Sequence, residues 1–66
     1  MSAPRIVKVS PVLIVLESAT GEMAAVARKV QGGEEWAVRT AKSERVEFVV
    51  GEAAVRTRLA EIGGLE

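Results

Sequence analysis

The sequence predicts a small α+β domain of order βαββα, a three-stranded sheet with two helices packed on one face. Three observations carry this expectation. A β-branched, aliphatic stretch fills residues 5–16, an alternating hairpin fills residues 36–50, and helical spacing of apolar residues follows each.

Met1 to Pro4 reads as a lead-in, and Arg5 to Leu16 as strand, since aliphatic and β-branched residues dominate. Pro11 interrupts it, because proline cannot donate to a ladder; an edge, a bulge, or a break between Arg5–Val9 and Val12–Leu16 is expected. Val12–Leu16 is apolar on both faces. Such a strand is either covered twice or covered on one side by another chain.

Ser18-Ala19-Thr20-Gly21 is a turn or helix cap, and Glu22 suits a first helical turn. Met23, Val26, Ala27 and Val30 follow helical spacing, and Gln31-Gly32-Gly33 stops the segment. A helix over residues 22–30 is expected, because alanine is the best helix former and a poor strand residue. The rival is a hairpin, with Ala19–Gly21 as the turn and Ala24–Val30 as the returning strand.

Trp36, Val38 and Thr40 alternate with Ala37, Arg39 and Ala41, and Val46, Phe48 and Val50 alternate with Arg45, Glu47 and Val49. Lys42-Ser43-Glu44 is the natural turn. Pairing Ala41 with Arg45 sets Val38 against Phe48, Trp36 against Val50, and Arg39 against Glu47. The face bearing Trp36, Val38, Val46 and Phe48 is then expected under both helices. Gly51 opens the last helix, with Glu52 and Arg56 paired at i, i+4 and Val55, Leu59 and Ile62 as its buried stripe. Gly63 ends it. Gly63-Gly64 reads as a helix stop rather than as the tail of a ubiquitin-like carrier.

The stretch Gly33…Arg45-Val46-Glu47-Phe48…Leu59-Ala60-Glu61-Ile62 is similar to the hairpin and last helix of phage head-to-tail joining proteins of the lambda W type. The likeness covers less than half the chain. Those proteins open with a helix and this chain with a strand, so no membership is assigned.

Sixty-six residues make one domain, 1–66, with Leu65-Glu66 fitting a cloning remnant. A chain of this size has a marginal core, and it contains no cysteine or histidine, while all nine acids are glutamate. Disulfides, structural zinc and a typical calcium loop are therefore not expected, which leaves tight packing or oligomerisation. The same absences, with that of tyrosine, remove the usual acid, base and nucleophile sets. No enzyme activity, cofactor or metal is expected. Glu34-Glu35 reads as a solvated turn, and the Lys42/Ser43 neighbours lack any visible oxyanion donor. The run Val12–Leu16 is too short for a bilayer span or a signal-peptide core, so no membrane role and a cytoplasmic location are expected.

The function expected is a non-enzymatic interaction or assembly module that binds a protein partner or a second copy of itself. Its interface would be an apolar strip of Val12, Ile14, Leu16, Ala37 and Val49 on the outer sheet face. The alternative is a small regulator that contacts nucleic acid through Arg39, Lys42 and Arg45. Interleaved glutamates and the net charge of zero weigh against it, as does the commitment of Trp36 and Phe48 to the inner face.

Overall fold

The computed structural model describes residues 3–43 and 45–64. Glu44 of the expected turn and the expected remnant at 65–66 lie outside them. The elements run β1 (Arg5–Ser10), β2 (Leu13–Glu17), β3 (Met23–Lys29), β4 (Glu35–Thr40), β5 (Val46–Val50) and α1 (Glu52–Gly63). All five strands form one antiparallel sheet in the order β1-β2-β3-β4-β5, and α1 packs on one face of it. The class is still α+β-like. The expected three-stranded βαββα sheet with two helices is replaced by a five-stranded meander with a single C-terminal helix.

Two differences produce that change. Of the alternatives at Pro11, the break occurs: Pro11 and Val12 turn the chain, and the two pieces are separate strands that pair with each other, Val7 opposite Val15. The helix expected over residues 22–30 does not form; the rival hairpin does, with Met23–Lys29 as the strand returning along β2. Gly21, at φ +89°, makes the tight turn, with the Gly21 amide donating to the Ser18 carbonyl at 2.9 Å and the Ser18 amide to the Glu22 carbonyl at 2.7 Å. The alanines that suggest a helix have a different role. Ala25 and Ala27 are buried on the inner face opposite Leu16 and Ile14, in a sheet on which α1 lies. A small side chain there lets the helix approach the sheet, and this packing overrides the poor strand propensity of alanine.

The β4–β5 hairpin forms, but one residue out of the expected register. Val38 lies opposite Glu47, Ala37 opposite Phe48, Trp36 opposite Val49, and Arg39 opposite Val46. Directly paired residues share a face. Trp36, Val38, Glu47 and Val49 therefore face the helix, while Val46 and Phe48 turn to the other side. Glu47 does not meet Arg39; it accepts from Arg58 Nε of α1 at 2.8 Å.

The last helix matches its sequence signals. Val55 and Leu59 are fully buried and Ile62 packs beside them. Glu52 accepts from Arg56 Nε at 3.2 Å and from Lys8 Nζ at 2.9 Å, which ties the helix start to β1. The left-handed cap falls on Gly64, φ +70°, rather than on Gly63. A side chain at Gly63 would meet Leu16 at 3.1 Å, so glycine at this helix end keeps α1 close to β2. The core is Ile14, Leu16, Ala25, Ala27, Trp36, Val38, Val55 and Leu59.

Two predictions follow from this packing. Leu59→Ala should lose about 2–5 kcal/mol by emptying the middle of the core, and Ala27→Leu about 1–3 kcal/mol by overpacking beneath the helix. Urea unfolding midpoints at constant m-value measure both. A separate prediction concerns pH. The Lys8 and Arg56 hydrogen bonds hold the Glu52 carboxyl below its ordinary value of 4.5. A depressed folded value means that its contribution is present above the unfolded value and lost as pH falls through the folded one. Stability should thus fall on acidification below about pH 4.5, and Glu52→Gln should reduce the acid dependence, read by thermal melts from pH 7 to 3.

Candidate interaction surface

The strand register divides the sheet into two faces. The inner face carries Ile14, Leu16, Ala25, Ala27, Trp36 and Val38 under α1. On the outer face, Val7, Val15, Val26, Arg39 and Val46 make one row across all five strands. Leu13, Arg28, Ala37 and Phe48 make the adjoining row across β2–β5, and Val50 sits opposite Glu35 at one end. No described element of the chain covers this face. Its only ion pair among the described residues is Arg5 with Glu17, at one corner.

The exposure of this surface is graded. Leu13, Val15, Val26 and Ala37 are half-buried by neighbouring strands. On β5, which has a neighbour on one side only, Val46, Phe48 and Val50 are 47%, 59% and 65% exposed. The chain has 4682 Å² of accessible surface. A compact monomer of this mass is expected to show about 4,000 Å².

The five residues of the expected strip do not stay together. Ile14 and Leu16 are fully buried beneath α1, where they form the core. Val49 is on the inner face, packed against that core. Val12 is exposed in the β1–β2 turn, and Ala37 alone lies on the open face. An apolar strip therefore exists, but on the opposite parity of β2 and β5: Leu13 and Val15 instead of Ile14 and Leu16, and Phe48 instead of Val49. The signal for this was the parity of Val12–Leu16, which puts aliphatic residues on both faces of one strand.

The basic candidates also separate. Arg39 is on the open face, exposed, between Val26 and Val46. Lys42 is exposed in the β4–β5 turn. Arg45 is on the helix side, where it lines a groove with Thr40, Glu47 and Arg58. Arg28 joins Arg39 on the open face, and neither has an ion-pair partner among the described residues. Phe48 stands in the same row as Arg28, so an exposed aromatic ring does accompany the arginines.

Among the described residues there is no cluster of three or more potential metal ligands, and no buried polar side-chain atom lacks a hydrogen-bond partner. No helix among them is long and apolar enough to cross a membrane. No family model, curated protein or solved structure matches the chain, so the likeness to phage joining proteins gains no support.

Proposed function

We propose that this chain is a non-enzymatic assembly module of the cytoplasm that self-associates through the open face of its sheet. The observation that supports the reading is the largely apolar surface of Val7, Leu13, Val15, Val26, Ala37, Val46 and Phe48, interrupted by Arg28 and Arg39 and left uncovered by α1. Five strands about 4.8 Å apart and five to seven residues long give a footprint of roughly 400–450 Å² before side-chain relief is counted. That is of the order needed for a standard interface of about 800 Å² of accessible surface per partner. Two sheets packed face to face would also supply the second layer that a half-covered sheet lacks.

A second reading is favoured by a specific arrangement. Phe48, Arg28 and Arg39 share the open face, and a sheet that presents a ring at its edge with arginines on the two strands beside it can stack a base while holding phosphates. Both readings use the same face, so they make opposed predictions.

Self-association predicts a mass that rises with concentration in sedimentation equilibrium. Val26→Lys, at the centre of the face, should raise the dissociation constant by roughly 100-fold or more, because a lysine would be buried in an apolar contact. Circular dichroism should show the fold retained. A monomer at all concentrations ends the reading. The nucleic-acid reading predicts binding of a single-stranded oligonucleotide that weakens with salt and with Arg28→Gln/Arg39→Gln. A flat titration at low salt ends that one.

A further inference from the structure

The two edges of the sheet differ, and the difference lies in the backbone. In an antiparallel ladder, residues alternate between pointing their N–H and C=O at the partner strand and pointing them away. The Gly51 amide donates to the Glu34 carbonyl at 2.9 Å, which continues the β4–β5 register and makes that a hydrogen-bonded pair. Trp36/Val49 and Val38/Glu47 are then hydrogen-bonded pairs as well. Val46, Phe48 and Val50 are left with their main-chain groups directed away from β4. These are the same three residues whose side chains are the exposed apolar ones of β5.

The opposite edge is protected. The Lys29 amide donates to the Val12 carbonyl, so the same alternation directs the main-chain groups of Ile6 and Lys8 outward from β1. Lys8 brings a charge, tied to Glu52. The register breaks between Lys8 and Ser10, and Pro11 follows directly. A charged residue, a bulge and a proline are the devices that keep an edge from pairing. β5 has neither a bulge nor a proline, and its one charge, Glu47, is held on the helix side by Arg58 just as Lys8 is by Glu52, so the bulge and Pro11 make the difference between the edges.

We propose that β5 pairs, antiparallel, with β5 of a second copy about a two-fold axis at Phe48. Val-Glu-Phe-Val-Val is self-complementary in this register: Val46 meets Val50 of the second copy, Phe48 meets its own equivalent, and Val50 meets Val46. Each of the three residues on each strand has one donor and one acceptor to give, for about six main-chain bonds. The other registers are poorer. An axis at Glu47 sets two carboxylates opposite each other, and an axis at Val49 leaves Val46 without a strand partner. The second copy is thus selected by the sequence of the edge itself, and the two sheets become one continuous sheet.

This inference shares with the proposed function only the idea of self-association, because it uses the edge and not the open face. The experiment separates them. Val50→Pro removes an N–H that points to solvent in the single chain, at an edge position where proline is tolerated. Amide hydrogen exchange is measured across a concentration series for the wild type, Val50→Pro and Val26→Lys. Edge pairing predicts that the Phe48 and Val50 amides of the wild type gain protection with concentration, while those of Ile6 and Lys8 do not. It predicts the same behaviour in Val26→Lys, and in Val50→Pro a dimer weakened about 10- to 100-fold with Phe48 losing its concentration dependence. Exchange at Phe48 that is fast and independent of concentration in both wild type and Val26→Lys overturns the inference. Loss of association in Val26→Lys with Phe48 unprotected throughout leaves the open-face reading standing alone.

Discussion

One helix has to cover a five-stranded sheet, and most of the structure follows from that shortage. A helix with its side chains is about 10–12 Å across, whereas five strands at about 4.8 Å spacing span roughly 20 Å or more. Only one face can be covered, and only along its middle. The strands under α1 therefore carry the small residues Ala25 and Ala27, which draw the helix down between Leu16, Ile14 and Val38. At the margins of the covered face Ile6 and Val49 pack against the core beside charged side chains that bind the helix by ion pairs: Lys8 to Glu52 on β1, and Glu47 to Arg58 on β5. These pairs are solvated and contribute little each. Their position matters more than their energy, because they mark where the core stops.

That constraint also decides how much of the fold could be read from the sequence. The final helix was legible because its signals are local: a glycine entry, an i, i+4 pair, and a stripe of Val55, Leu59 and Ile62. The existence of β4 and β5 was legible from their alternation. Their register was not, because β5 is apolar at both parities. Val46, Phe48 and Val50 on one side and Val49 on the other can each be matched to an apolar face of β4. In the register that forms, Glu47 lies on the helix side beside Arg58 and Phe48 points outward, a choice that depends on partners outside the hairpin. The segment Met23–Lys29 failed for a related reason. Its alanines carry a real helix preference, and only the packing of α1 makes smallness useful in a strand.

The candidate surface was half legible. The run Val12–Leu16 correctly implied a strand apolar on both sides, and a strand of that kind with one helix available has one side left over. The sequence could not say which parity the helix would take. Taking Ile14 and Leu16 outward was the natural error, since nothing in five consecutive aliphatic residues distinguishes the odd positions from the even ones. The one-residue difference in the β4–β5 register separates Arg45 from Arg39 and brings Phe48 to its side, whereas Arg28 joins them because Met23–Lys29 is a strand.

The open face and the size of the core are linked. Two of the eight buried core residues are alanines, which contribute little apolar area, and the chain has no cysteine to supplement them. Leu13, Val15, Val26 and Phe48 carry further aliphatic and aromatic area, on the side where it adds least to the stability of a single chain. If that area is removed from water by a second copy, folding and association are thermodynamically coupled, and apparent stability rises with protein concentration. A protein built in this way would hold its fold most firmly where it is assembled. The bulged and proline-ended β1 and the bare β5 then give the sheet one closed side and one open side. An isologous contact at β5 closes after two copies, whereas a sheet with both edges bare could extend indefinitely.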